Sequence, residues 1–182
     1  MSIMVFAVAI VVAFFFFIGM YNKMIQLRNY TKEAFSTMDV CMKKRWDLIP
    51  NLMETVKGYM THEKEVLEKV TQLRNLNYNA MSNNEKMDVN NKLTLGLSSL
   101  IATAENYPDL KANESFNGLA QELSNVEEDI ANSRRYYNGT VREYNTYIQM
   151  FPTCMFASMF GFMAEKLFEI NETERQNVSI KF

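Results

Sequence analysis

The sequence predicts an all-α protein with one membrane anchor. Two observations carry that expectation: an unbroken apolar run from Ile3 to Tyr21, and apolar residues at helical spacing almost everywhere after Asn22. A third is the scarcity of turn formers, 6 glycines and 3 prolines in 182 residues, which favours long helices. The expected architecture is one N-terminal transmembrane helix followed by an antiparallel bundle of long helices, four-helix up-down in type, with a turn or kink at Pro50. Residues 1–22 are the expected anchor, 23–168 a cytoplasmic helical bundle, and 169–182 a C-terminal tail.

The run IMVFAVAIVVAFFFFIGMY is about 19 residues long, close to the ~20 that cross a hydrocarbon core as helix. No Lys or Arg precedes it, and its exit, Ile18-Gly19-Met20-Tyr21-Asn22, lacks the small-x-small pattern of a cleaved signal. A permanent anchor is therefore expected, with Phe14, Phe15, Phe16 and Phe17 in the apolar layer and Tyr21 at headgroup level. The following charges are Lys23, Arg28 and Lys32. Positive charge prefers the cytoplasmic face, so the N-terminus is expected outside and the main domain inside.

From Met24 the pattern steps by three and four: Met24, Leu27, Thr31, Ala34, Met38, Cys41, Arg45, Leu48, Leu52, Val56, Tyr59, Glu63, Val66, Val70, Leu73. These positions trace one helical face, with Arg45 and Glu63 as polar interruptions. Pro50 lies within it, deleting a backbone donor and disfavouring helix at Ile49. If the chain reverses there, Asp47 caps a new helix. Segments 22–47, 51–77, 84–106 and 114–150 then match in length. If it only kinks, one helix continues outward; the lack of any Gly or polar cluster beside Pro50 favours this. Both readings stand at this level.

The polar stretch Asn77 to Asn84 breaks the pattern, and Ser82 with Glu85 forms a capping box. A third helix carries Leu93, Leu97, Leu100, Ala104 and Tyr107 on one side and ends at Tyr107-Pro108-Asp109. Asn113 caps a fourth, whose stripe runs Phe116, Leu119, Leu123, Val126, Ile130, Ser133, Tyr137, Thr140, Tyr144, Tyr147. Phe151-Pro152 ends it. Val178, Ile180 and Phe182 alternate with polar neighbours, over too few residues to argue a sheet.

A set of motifs spread through the chain resembles the LemA family of bacterial membrane proteins. It comprises Lys44-Arg45-Trp46-Asp47-Leu48-Ile49-Pro50-Asn51-Leu52, Val56-Lys57-Gly58-Tyr59 and His62-Glu63. It continues with Glu105-Asn106-Tyr107-Pro108-Asp109-Leu110-Lys111-Ala112-Asn113, Phe116, Arg135-Tyr136-Tyr137-Asn138, Tyr144-Asn145, Phe151-Pro152 and Gly161-Phe162. Phe35 stands where the family commonly has Trp. The resemblance implies a single-pass protein of the bacterial inner (cytoplasmic) membrane with a cytoplasmic helical bundle. It supplies no catalytic residues to carry over, and nothing here resembles a kinase glycine-rich or catalytic loop.

Chemical signals are sparse. His62, the single histidine, lacks the second histidine of a zinc-binding helix and reads as a solvated helical residue. Cys41 and Cys154 have no partner at metal or redox spacing, and read as reduced thiols with Cys41 on the apolar stripe. Glu127-Glu128-Asp129 reads as a solvated face, because adjacent acids diverge around a helix. Lys43-Lys44-Arg45 lies roughly 33 Å from Tyr21 if helical, out of reach of its own bilayer, and reads as a solvated helix end. No catalytic residue, cofactor or metal is expected. The formal net charge of −2 gives no field for nucleic acid.

Two stretches are candidate contact sites. Tyr107, Pro108, Asp109 and Lys111 form either a rigid connector, favoured about two to one on its turn chemistry, or a partner-binding corner. Phe151-Pro152-Thr153-Cys154-Met155-Phe156-Ala157-Ser158-Met159-Phe160-Gly161-Phe162-Met163 is uncharged and too short to span. Its candidate contact residues are Phe151, Met155, Phe156, Met159, Phe160 and Phe162. It is expected to be core, a lipid-interface element or a subunit contact. Reversal at Pro50 would return it to the membrane; a kink would leave it at the far end. The expected function is a non-enzymatic membrane-anchored scaffold acting on the lipid bilayer by self-association as a homo-oligomer, with membrane organisation or remodelling as outcome. The alternative is a signalling or quality-control adaptor docking another membrane protein, such as a protease or kinase.

Overall fold

The computed structural model describes residues 2–60 and 62–169. The described chain is helical, with no strand among the described residues: α1 (Ser2–Lys57), α2 (Lys64–Arg74), α3 (Asn83–Ala104), α4 (Pro108–Lys111), α5 (Glu114–Gln149) and α6 (Thr153–Ala157), with a 3-10 turn at Tyr78–Ala80. Nearly all of the expected tail, and the alternation at Val178, Ile180 and Phe182, lie outside the described residues.

Helix α1 runs 56 residues and continues through Pro50 without interruption. The reversal at Asp47–Pro50 does not occur. An interior proline costs about 3 kcal/mol. Pro50 is solvent-exposed, while Ile49 and Leu52 beside it are 0% exposed and Met53 is 6% exposed. Burying each such side chain contributes roughly 1.5–3 kcal/mol, so packing outweighs the broken hydrogen bond. The chain leaves the helix at Gly58, eight positions later than the proline rule suggests. His62 therefore lies in the α1–α2 turn and not on a helix.

Two compact units form. Of the described residues, the first comprises 2–36 and 135–167. Its core is Met24, Leu27, Tyr144, Ile148, Ala157 and Phe162, with Ile25 and Tyr147 packed against it. Phe35 meets Tyr137 edge-on at 5.7 Å, so within this unit α1 and α5 run antiparallel. The buried stripe of α5 passes through Tyr137, Val141, Tyr144 and Ile148. Thr140 and Tyr147 are only half-buried. A straight helix of 3.6 residues per turn drifts off a strict heptad, which accounts for the displacement by one residue.

Of the described residues, the second unit comprises 37–60, 62–134 and 168–169. Asp39 faces Lys86 and Arg45 faces Asn90 and Thr94, so α1 and α3 run parallel here. Tyr59 faces Asn113 and Arg45 faces Glu127, so α5 runs against α1. The direction change between α1 and α3 is supplied by α2, whose start lies near the end of α3 through Glu63 and Tyr107. Its last residue, Arg74, stacks over Trp46 at 5.3 Å. A reversal exists, but α2 accomplishes it. At the helix starts, Ser82 and Glu85 make the capping box, and Asn113 Oδ1 accepts the Phe116 amide at 3.0 Å.

Candidate membrane-proximal contact surface

The apolar run forms the start of α1 and is almost wholly unburied: Ile3 is 87% and Phe15 67% exposed. It is long and apolar enough to cross a membrane, and only 6% of its most apolar window is buried, unlike the core helix of a soluble protein.

The uncharged stretch Phe151 to Met163 lies against the end of this run, inside the first unit. After α5, a turn leads into α6, which buries Thr153 and Ala157 and leaves Cys154 and Met155 exposed. Phe156 meets Phe17 at 4.7 Å, and Tyr21 meets Phe160 at 5.3 Å and Phe162 at 5.7 Å. Gly161, at φ +74°, makes the left-handed turn that brings Phe162 back into the core. The two elements form an apolar shoulder on the anchor. The expectation that a continuous first helix leaves this segment at the far end is corrected: α5 returns along α1.

Polar clamps hold the chain beyond the shoulder. Tyr144 Oη donates to the Met163 carbonyl at 3.0 Å, and Tyr137 Oη to the Lys166 carbonyl at 2.9 Å. Asn145 grips Glu165 twice, accepting its amide at 2.9 Å and donating to its carbonyl at 2.8 Å. Burial first, and Glu165 second, push the Tyr137 hydroxyl up to about 12. The same causes raise Tyr144.

The shoulder is not uniformly buried. Phe162 is 4% exposed, whereas Phe151 is 79% and Met159 69% exposed; Met155 and Phe160 are also exposed and Phe156 is half-buried. The stretch is thus a core element on one side and an unpartnered apolar surface on the other. Phe14, Phe15, Phe16, Phe17 and Tyr21 are exposed beside it.

The corner Tyr107–Asn113 is a compact connector in the second unit. Pro108 opens α4, Leu110 is fully buried, and Tyr107 donates to Glu63 at 3.3 Å. Pro108, Asp109 and Lys111 are exposed.

Arg45 corrects the sequence reading. It is 1% exposed, and its guanidinium donates to Thr94 Oγ1 and the Asn90 carbonyl, both at 2.8 Å, and also to Asn90 Oδ1 and Glu127. Glu127, read as part of a solvated acidic face, is the charged partner, half-exposed at 44%. Lys44 faces Glu122 at 3.4 Å and Lys43 pairs with Asp47, so the basic triplet is no helix end. A buried guanidinium requires such partners, because an unpaired one costs several kcal/mol of desolvation. A second buried polar group joins Tyr78, which donates to Asp39 at 2.6 Å, to Lys86, which pairs with Asp39 at 2.7 Å. Burial and then the Asp39 carboxylate push the Tyr78 hydroxyl strongly up. Neither cluster was visible in the sequence, where Arg45 lies 45 or more residues from its partners and Asp39 lies 39 or more from Tyr78 and Lys86. Among the described residues, no three His, Cys, Asp or Glu side chains converge on a site able to hold a metal ion.

A model of the LemA family matches residues 34–182. The protein LemA of Metamycoplasma hominis is 27% identical over 97% of this chain and 81% of its own length. That match extends across the motifs from Lys44 to Phe162 described above. The chain belongs to the LemA family.

Proposed function

We propose that this protein is a non-enzymatic, membrane-anchored helical scaffold that organises the bilayer by self-association around its anchor. The supporting observation is the uncharged Phe/Met shoulder packed on the end of the apolar run, with Phe151, Met155, Met159 and Phe160 exposed. A span alone displaces both leaflets alike. A shoulder on one end adds apolar volume to one leaflet only, and copies brought together would add it repeatedly at one place. Met-rich surfaces also repack against varied neighbours, which suits contact with lipid and with a second copy.

In this reading the bundle lies on the cytoplasmic side, which Lys23, Arg28 and Lys32 support, and the membrane is the bacterial inner membrane, which the LemA likeness supports. The shoulder then enters the inner leaflet. The test is photo-crosslinking in living cells from a reactive residue at Met155 of the full chain. A ladder of self-crosslinks is expected. One dominant foreign protein would replace the scaffold reading with an adaptor, and a strict monomer by mass photometry at high concentration would refute self-association.

A further inference from the structure

Within the first unit, Phe17, Ile18 and Tyr21 of α1 and Phe156, Met159 and Phe160 of the shoulder enclose an apolar groove of about 360 Å³. That volume falls within the ~300–1,000 Å³ typical of small-molecule sites. The α1 wall is the end of the membrane-crossing run itself, so the groove is continuous with the hydrocarbon layer. Its occupant must be apolar and arrive from the bilayer.

Beyond the Tyr21 wall of the groove stands a cation. The Phe162 ring lies between Tyr21, at 5.7 Å, and the Arg28 guanidinium, at 4.8 Å. Arg28 follows Tyr21 by seven residues, nearly two turns, so both lie on one face of α1. Side chains on a helix lean toward its N-terminus, which aims Arg28 back at the membrane. Among the described residues Arg28 has no acidic partner, and its Nε is buried without a hydrogen-bond acceptor. A phosphate would supply the missing charge to the guanidinium.

We propose that this groove holds an acyl chain of an anionic glycerophospholipid whose phosphate pairs with Arg28. Chain and headgroup are then held by one site, which separates a retained lipid from the surrounding bilayer. The inference rests on the membrane reading of the anchor and shoulder, but not on self-association.

The test uses the full chain reconstituted in phosphatidylcholine vesicles containing a minor share of phosphatidylglycerol, then released for native mass spectrometry. The expected result is one retained phosphatidylglycerol, enriched about tenfold over its share of the bilayer. Arg28→Gln should return the retained lipid to bilayer composition. Met159→Trp, at an exposed position, should fill the groove and lower total retention; circular dichroism checks that both variants stay folded. Lys23→Gln removes another cation, on a different face of α1, and should leave the enrichment intact. No enrichment in the native chain, or an equal loss in Lys23→Gln, would overturn the site while leaving the anchor standing. Failure of the chain to incorporate into vesicles would instead contradict the membrane reading on which the site depends.

Discussion

Phe156 sets its ring against that of Phe17, with centroids 4.7 Å apart and planes at 61°. This contact ties a short uncharged segment near the end of the described chain to the apolar run at its beginning. It makes one apolar surface from two stretches that the sequence separates by more than a hundred residues.

Removing that ring should loosen the shoulder without unfolding the protein. An edge-to-face pair contributes about 1 kcal/mol beyond the area it buries. Phe156→Ala in detergent is expected to be cut several-fold faster by chymotrypsin between Phe151 and Phe162, with cleavage elsewhere unchanged by mass spectrometry.

The Asn145 clamp should be equally local. Its two bonds to Glu165 are exposed, and each contributes about 1 kcal/mol net. Asn145→Ala is expected to speed exchange of the Glu165 amide about tenfold in hydrogen-deuterium measurements, while amides of α3 stay protected.

Alkali should release the same region. The Tyr137 hydroxyl is raised to about 12 by burial, and Tyr144 is raised as well. An unfolded tyrosine titrates near ~10, so the folded state holds these protons more tightly. The Tyr137 contribution is full below about pH 10 and is lost as pH rises through about 12; Tyr144 contributes with the same sign. Absorbance at 295 nm should reveal late-titrating tyrosines, and thermal melting should fall over that window. Tyr137→Phe should flatten the fall.

Arg45 should be sensitive to losing its carboxylate. Glu127→Ala leaves a buried guanidinium with neutral acceptors only, a cost of roughly 1–3 kcal/mol given that Glu127 is half-exposed. Melting followed by circular dichroism should drop accordingly. Lys43→Ala, which removes an exposed pair with Asp47, should change melting little.

Local rules made much of the fold legible. The apolar run, the Ser82 and Asn113 caps and the buried face from Met24 to Val56 follow from composition and period. Pro50 left reversal and continuation both open, because a backbone rule competes with burial of Ile49 and Leu52, and burial depends on partners not adjacent in sequence. Arg45 read as an interruption for the same reason: Asn90, Thr94 and Glu127 become its neighbours only after the helices pack. The shoulder's composition was visible, but its position depended on how many times the chain reverses, and α2 is short enough to escape that count.

In the proposed arrangement the shoulder lies in the membrane interface beside the anchor. Cys154 is exposed on it and Cys41 lies in the second unit, so a nitroxide on Cys154 in a Cys41→Ser chain reports the shoulder alone. Power saturation in phosphatidylcholine–phosphatidylglycerol vesicles compares its collisions with oxygen and with a water-soluble nickel chelate. Oxygen access well above nickel access is expected, as for a label below the phosphate level. Equal access to both, as for a residue in bulk water, would contradict it.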